Sequence, residues 1–340
     1  MISPLRIMTS VSPLLHAMAR CASVGRGAAA SSAALLVVSS SLLAHSPAAV
    51  IGSAPSPEVA TAAHASSQAA TRAQAPVRRI VSLVPAATEM MFAMGAGDRV
   101  VGVSSFDRFP PEVAGRPQVG GLLDPNVERV LSLRPDLVVL YRTQSELQQQ
   151  LARAGIAVFE YTHRDLSDVT QTLRSLGARI GAPGAEAAAT EIERRLAAIT
   201  SQVSGRARPK TLLVIGREPG SLRQLRASGG YGFLHDLLEL AGAEDVWRDV
   251  ARESIEMSPE MVLARAPEVI VELHYGQSIP ASRLATERTV WRTLASVPAV
   301  RSDRIYLLLG DEFVVPGPRV VRAAEQLART LHADAFPAAP

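Results

Sequence analysis

Residues 124–142 read DPNVERVLSLRPDLVVLYR, and the stretch sets out one structural unit. Glu128-x-Val130-Leu131 is followed, three residues on, by Pro135-Asp136 and the apolar run Leu137–Leu140. The residue before a proline is pushed out of the right-handed helical region, so a helix is expected to stop there. A run of branched and Leu residues after an acid then reads as a buried strand. The unit recurs 132 positions later as Glu260-x-Val262-Leu263, Pro267-Glu268 and Val269-Ile270-Val271.

A second echo runs beside it. Met94-Gly95-Ala96-Gly97-Asp98 closes one helical pattern and Ala241-Gly242-Ala243-Glu244-Asp245 another. In both halves the order is strand, helix, Gly-Ala stop, then the Glu…Pro-acid unit. The spacing from glycine to glutamate differs, 33 against 18, so the repeat is divergent. The expected fold is α/β: two Rossmann-like parallel-sheet lobes joined by one long helix.

The 340 residues allow two lobes and a leader. The net charge of +3 lies entirely in residues 1–76, where Arg6, Arg20, Arg26 and Arg72 oppose Glu58, so the body is neutral and nucleic acid is not an expected partner. Cys21 is the single cysteine, which excludes an intrachain disulfide and a thiolate cluster. Arg20 and Arg26 precede the apolar run Ala33–Leu43, and Pro47 follows it. Residues 1–51 are expected to be a secretory signal or an uncleaved apolar anchor, and 52–77 a low-complexity tether. A lipid on Cys21 is disfavoured by Arg20 before it.

The first lobe is placed at 78–182, the connecting helix at 183–205 and the second lobe at 209–333. Ile192, Leu196, Ile199 and Val203 form one apolar stripe at helical spacing on the connector. In parallel sheets ligands bind beyond the carboxyl ends of strands. Those ends in the first lobe are Pro85–Ala87, Ser104–Phe109, Tyr141–Thr143 and Tyr161–His163. In the second they are Arg217, His274–Tyr275 and Asp311-Glu312-Phe313, with Tyr231 in the turn Ser228-Gly229-Gly230-Tyr231-Gly232. That turn lacks the Gly-Lys-Ser/Thr ending of a phosphate loop and is not expected to directly follow a strand. No Gly-x-Ser-x-Gly elbow, His-Glu-x-x-His pair or paired cysteine is present, so a binder is favoured over an enzyme.

RIVSLVPAATEMMFAMGAGDRVVGVSSFDRFPPEV, VGGLLDPNVERVLSLRPDLVVL, FLHDLLELAGAEDVW and SPEMVLARAPEVIVEL, in this order, resemble the periplasmic substrate-binding proteins of ABC importers for vitamin B12, iron-siderophores and haem. The resemblance covers roughly 78–333 and implies a ligand cleft between the two lobes. It implies a periplasmic, monomeric protein that captures a metal chelate, cobalamin or a ferric siderophore, and delivers it to a permease dimer in the inner membrane. It implies no cofactor and no directly bound metal, the cobalt or iron travelling inside the ligand. One glutamate per lobe would dock in arginine pockets of the permease, and Glu128 and Glu260 hold those positions. Both also sit near expected helix N-termini, with Asp124-Pro125 and Ser258-Pro259 as cap and first residue. Where the vitamin B12 binder carries cleft tryptophans this sequence has Leu122 and Ser254-Ile255, and Phe106 keeps an aromatic.

The candidate ligand-binding set is therefore Pro85, Ala86, Phe106, Tyr141, Arg142, Tyr161, His163, Arg217, Tyr231, His274, Tyr275, Asp311, Glu312 and Phe313. A haem-binding member is the alternative, with Tyr141, Tyr161, His163, His274 or Tyr275 as axial ligand and Arg142 and Arg217 on the propionates. An α/β chelatase or nitrogenase-like subunit is the alternative of another class.

Overall fold

Four short apolar runs build the first sheet: β1 (Ile80–Ser82), β2 (Val100–Gly102), β3 (Leu137–Tyr141) and β4 (Ala157–Tyr161). They are all parallel, in the order β2-β1-β3-β4. Every residue of β3 is buried, as a strand covered on both faces requires. The computed structural model that shows this describes residues 76–276 and 279–336. The apolar segment expected over 1–51 lies outside them, and of the tether only Pro76 and Val77 are described, Val77 being buried.

The second sheet is built on β5 (Lys210–Gly216), β9 (Val269–His274) and β10 (Ile305–Leu309), parallel in the order β10-β9-β5. From β5 it continues antiparallel through β6 (Leu225–Ser228) and β8 (Ser254–Met257). A two-residue strand, β7 (Glu244–Asp245), pairs with the start of β5. The antiparallel ribbon goes beyond the sequence expectation. LRAS and SIEM are too short and too polar to show a strand period. The Gly-rich turn at 228–232 therefore does follow a strand directly.

The first helix, α1 (Pro85–Ala93), begins at Pro85, because a proline suits the first helical position, where no hydrogen bond is lost. The repeated unit forms α2 (Val127–Ser132) in the first lobe and its later counterpart at Pro259–Arg265. Arg134 and Ala266, the residues before the two prolines, are both left-handed at φ 47°. The acids behind the prolines have a structural task. Asp136 Oδ2 accepts from the Arg78 and Arg79 amides at 2.9 Å each, and Glu268 Oε2 accepts from the Lys210 amide at 3.1 Å. Each acid thus ties the central strand of its lobe to the first. Asp124 is not the cap expected: the Asn126 side chain accepts from the Arg129 amide at 2.9 Å, while Asp124 Oδ1 accepts from the Gly121 amide and closes the preceding loop.

The remaining helices are α3 (Ser145–Arg153), α4 (Ser167–Ile180), α5 (Ala185–Val203), α6 (Phe233–Leu240), α7 (the Pro259–Arg265 unit), α8 (Ala281–Thr289), α9 (Pro298–Arg301) and α10 (Val320–Leu331). The connector α5 buries Ile192, Leu196, Ile199 and Val203 as its periodicity predicts. It lies so close to α4 that a Cβ on Gly177 would stand 2.1 Å from the Ala185 Cβ. One apolar cluster runs from Leu137 and Val139 of the first sheet to Leu213 and Val271 of the second, through α5 and α10. The described residues accordingly form one compact unit. Among them, no helix is long and apolar enough to cross a membrane.

Candidate functional site

The carboxyl ends of the two sheets meet, and several contacts cross between them. On α1, Glu89 receives Arg319, which stands just ahead of α10: Nε is 3.1 Å from both carboxylate oxygens and Nη2 is 2.6 Å from Oε1. Arg319 also donates to Glu312 Oε2 at 3.1 Å, and its guanidinium lies 4.6 Å over the Phe109 ring. Burial pushes the Glu89 carboxyl above its ordinary range, against the pull of Arg319. Arg108 approaches Asp311 at 4.0 Å. The His163 ring meets Phe233, first residue of α6, edge-on at 5.2 Å. The Leu166 amide donates to Asp236 Oδ2 at 3.0 Å.

The first-lobe side of this seam is aromatic. Tyr141 and Tyr161, the last residues of β3 and β4, meet edge-to-face at 5.7 Å, and the His163 ring lies parallel to Tyr161 at 6.4 Å. All are drawn in by neighbouring parallel strands in register, Tyr141 beside Tyr161. Burial pushes both phenols well above the usual tyrosine range. It pushes His163 down to about 4, so the ring is neutral at pH 7. Asp107, in the loop after β2, is raised to about 7, chiefly by burial, with Thr88 and the Ser104 amide pulling the other way. Its Oδ2 accepts from the Ser104 amide at 2.7 Å. Thr88 stands beside the carboxyl, but its hydroxyl proton goes to the Val84 carbonyl. Four buried atoms here have no hydrogen-bond partner among the described residues: Tyr161 Oη, Asp107 Oδ1 and both His163 ring nitrogens.

The second-lobe strand ends are different. Arg217 is buried and bridges two buried carboxylates, Glu272 at 3.1 Å and Glu287 at 2.8 Å. Trp291 Nε1 donates to Glu272 at 2.9 Å, and the Gly220 amide donates to Glu287 at 3.0 Å. His274 Nε2 stands 3.1 Å from Glu272 Oε1, at an angle too poor for a full hydrogen bond. Burial alone would raise the Glu272 carboxyl; His274, Arg217 and Trp291 together hold it below its ordinary value. The Tyr275 hydroxyl donates to the Ile215 carbonyl at 3.2 Å.

The expected residues therefore separate. Tyr141, Tyr161 and His163 come together at the seam, and Asp311 and Glu312 face it from the second lobe. Pro85 and Ala86 form the buried first turn of α1, against which Gly317 packs. Phe106 covers Gly121, where a Cβ would meet its ring at 2.5 Å. Arg142 is exposed and paired with Glu160 at 3.5 Å, Tyr231 is exposed, and Phe313 is fully buried core. Arg217, offered as a cation for an anionic ligand, is instead held inside the second lobe, and His274 leans on the same cluster. Glu89, Phe233 and Arg319 were not expected, and Asp107 and Phe109 were marked only as part of the Ser104–Phe109 strand end. Asp107 lies within a strand-end loop that points to the site, whereas nothing local marks Glu89 or Arg319, 230 residues apart. Glu128 and Glu260 are exposed on α2 and α7. Three residues after each, Leu131 and Leu263 are exposed as well, at 38% and 41%. The Ser258 hydroxyl and a backbone amide hold the Glu260 carboxyl below its ordinary range.

The family model described as periplasmic binding protein matches residues 80–311, which takes in both sheets and the first-lobe side of the seam. The chain belongs to the periplasmic binding protein family. Vitamin B12-binding protein of Salmonella typhimurium is 32% identical over 74% of this chain and 90% of that protein. The protein of the same name from Pectobacterium carotovorum is 30% identical over 77% and 91%. Among solved structures, the periplasmic heme-binding protein RhuT of Roseiflexus is 26% identical, with a TM-score of 0.64 over 76% of this chain and 100% of that one. The periplasmic vitamin B12-binding protein of Vibrio cholerae, at 24% identity and a TM-score of 0.65, shares the fold over 76% and 98%. These relatives are binding proteins, and this periplasmic binding protein is a binder, not an enzyme.

Proposed function

We propose that this chain is the periplasmic substrate-binding component of an ABC importer, and that its ligand is a corrinoid of the cobalamin type. It holds the ligand at the seam between the two sets of strand ends and presents it to a permease dimer through Glu128 and Glu260. The observation that carries the choice of ligand is the state of the arginines around the site. Arg108 faces Asp311, Arg142 faces Glu160, Arg164 faces Asp168, Arg217 faces Glu272 and Glu287, and Arg319 faces Glu89 and Glu312. A haem brings two propionates and many ferric siderophores bring net negative charge, and both call for uncommitted cations. A corrinoid ring edged with carboxamides does not. It needs apolar surface and neutral hydrogen-bonding groups, which Tyr141, Tyr161, His163, Phe109 and Phe233 provide. Vitamin B12-binding relatives at 30% and 32% identity support the same choice.

The test is a thermal-shift and calorimetric comparison of cyanocobalamin, dicyanocobinamide, haem and a ferric siderophore. Cyanocobalamin at a hundredfold excess over Kd is expected to add about 2.7 kcal/mol of apparent stability. Stabilisation by haem with a shifted Soret band, and none by cyanocobalamin, overturns the corrinoid reading. The haem reading has one observation in its favour, the closeness of Tyr161 and His163, both of which can ligate iron.

A further inference from the structure

Two kinds of ion pair cross the seam. Arg108 and Asp311 meet at 4.0 Å with 61% of the arginine side chain in solvent, and a pair of that kind holds little. Glu89 and Arg319 are shut in, their side chains 3% and 13% exposed. Arg319 reaches both Glu89 oxygens through two of its nitrogens, donates to Glu312 Oε2 at 3.1 Å and lies 4.6 Å over the Phe109 ring. A planar guanidinium held by a carboxylate and a ring of one lobe and a carboxylate of the other is fixed in place and in orientation. The backbone around it leaves room for the two acids. A Cβ on Gly317 would stand 3.1 Å from Glu89 Oε2, and one on Gly310 would stand 2.6 Å from Glu312 Oε2.

A buried ion pair adds little net stability, because both charges give up water to form it, but separating the partners leaves each buried charge uncompensated. The lobes are thereby confined to arrangements that keep the pair. Arg319 stands one residue ahead of α10, which shares an apolar cluster with the connector α5, so the pair and the connector act on the same element. Glu128 lies on α2 of the first lobe and Glu260 on α7 of the second, so the separation of the lobes sets their spacing. We infer that Arg319 is a positioning residue: with Glu89 and Glu312 it forms a strut that fixes the separation of the lobes before a ligand arrives, and with it the spacing of the two docking glutamates. The docking consequence rests on the role proposed above for Glu128 and Glu260; the strut itself does not. A lysine in place of Arg319 would keep the charge and lose the planar fork.

The spacing can be read with spin labels at Ser132→Cys and Ala264→Cys, exposed equivalents on α2 and α7, in the full chain carrying Cys21→Ser, since Cys21 is the single cysteine. Double electron–electron resonance on the ligand-free protein is expected to give one narrow distance distribution. It should be at least about twofold broader in Glu89→Gln combined with Arg319→Met, which removes the pair without leaving Glu89 charged and alone, and intermediate in Arg319→Lys. Uptake of saturating cyanocobalamin by cells carrying the unlabelled double variant is expected to fall at least about threefold, with Glu128 and Glu260 intact. Equal widths in the parent and both variants overturn the strut, whatever the melting temperatures do. If the double variant does not fold, Arg319→Lys decides alone, and a parent-like width overturns the strut. Broadening with uptake at the parent rate overturns the tie to docking. A parent that takes up no cyanocobalamin counts against the corrinoid reading and leaves the distances to decide the strut.

Discussion

The two lobes repeat one construction and finish it differently at the seam. Each has a helix ending in a left-handed residue before proline, then an acid that ties the central strand to the first strand. Beyond the strands the likeness stops. The second lobe's polar groups, Arg217, Glu272, Glu287 and Trp291, point at one another and form a closed cluster. In the first lobe, Tyr161 Oη, Asp107 Oδ1 and both His163 ring nitrogens are buried without hydrogen-bond partners among the described residues. A closed cluster stabilises the fold and has little left for a guest, whereas an open set costs stability until a guest completes it. On the proposed reading, recognition is asymmetric although the scaffold is repeated.

The comparison can be broken first at the level of transport, where the lobes are expected to act alike. Glu128→Ala combined with Glu260→Ala should abolish uptake in cells and leave the ligand affinity of the purified protein unchanged. Uptake at the parent rate would end the docking role of both. The exposed Leu131 and Leu263, one helical turn on, suit a contact in which an apolar flank surrounds each charge.

Stability is expected to divide the lobes. Arg217→Met removes the guanidinium that bridges two buried carboxylates and should cost about 3–5 kcal/mol in chemical denaturation. Tyr161→Phe, at the matching end of the first lobe, should cost almost nothing. Comparable losses from both variants would remove the distinction between closed and open sets.

A finer test uses pH. Asp107 binds its proton more tightly in the folded state, at about 7 against 3.8 unfolded, so its contribution is present below pH 4 and is lost as pH rises to 7. His163 is opposite: at about 4 folded against 6.5 unfolded, its contribution is present above pH 6.5 and is lost as pH falls to 4. Between pH 4 and 6.5 the two slopes oppose each other, each near 1.4 kcal/mol per pH unit. Unfolding free energies measured across this range should show Asp107→Asn gaining on the parent as pH rises and His163→Phe losing. Parallel curves for parent and both variants would mean that neither group is shifted.

The scaffold was legible in the sequence because it rests on local rules. Proline stops, apolar runs and a 4-3-4 stripe on α5 are written over a few residues each, and the structure follows them closely. The ribbon of β6 and β8 was not legible, since its strands gain their identity from pairing with β5 rather than from their own pattern. At the seam, Tyr141, Tyr161 and His163 could be placed together because they stand at the carboxyl ends of adjacent parallel strands. Arg217 occupies an equally good position and faces inward, because only the fold brings Glu272 and Glu287 to it. Glu89 and Arg319 carry no local sign at all: their pairing is a property of two lobes meeting, and one sequence does not display it.

The apolar cluster that runs through α5 and α10 from one sheet to the other has a consequence for how the molecule fails. Lobes with separate cores can melt one at a time and leave half a site standing. With a shared core, loss of packing in either lobe withdraws support from the other, so the two faces of the seam persist or vanish together. Selection on the stability of the second lobe thus also guards the chemistry held by the first.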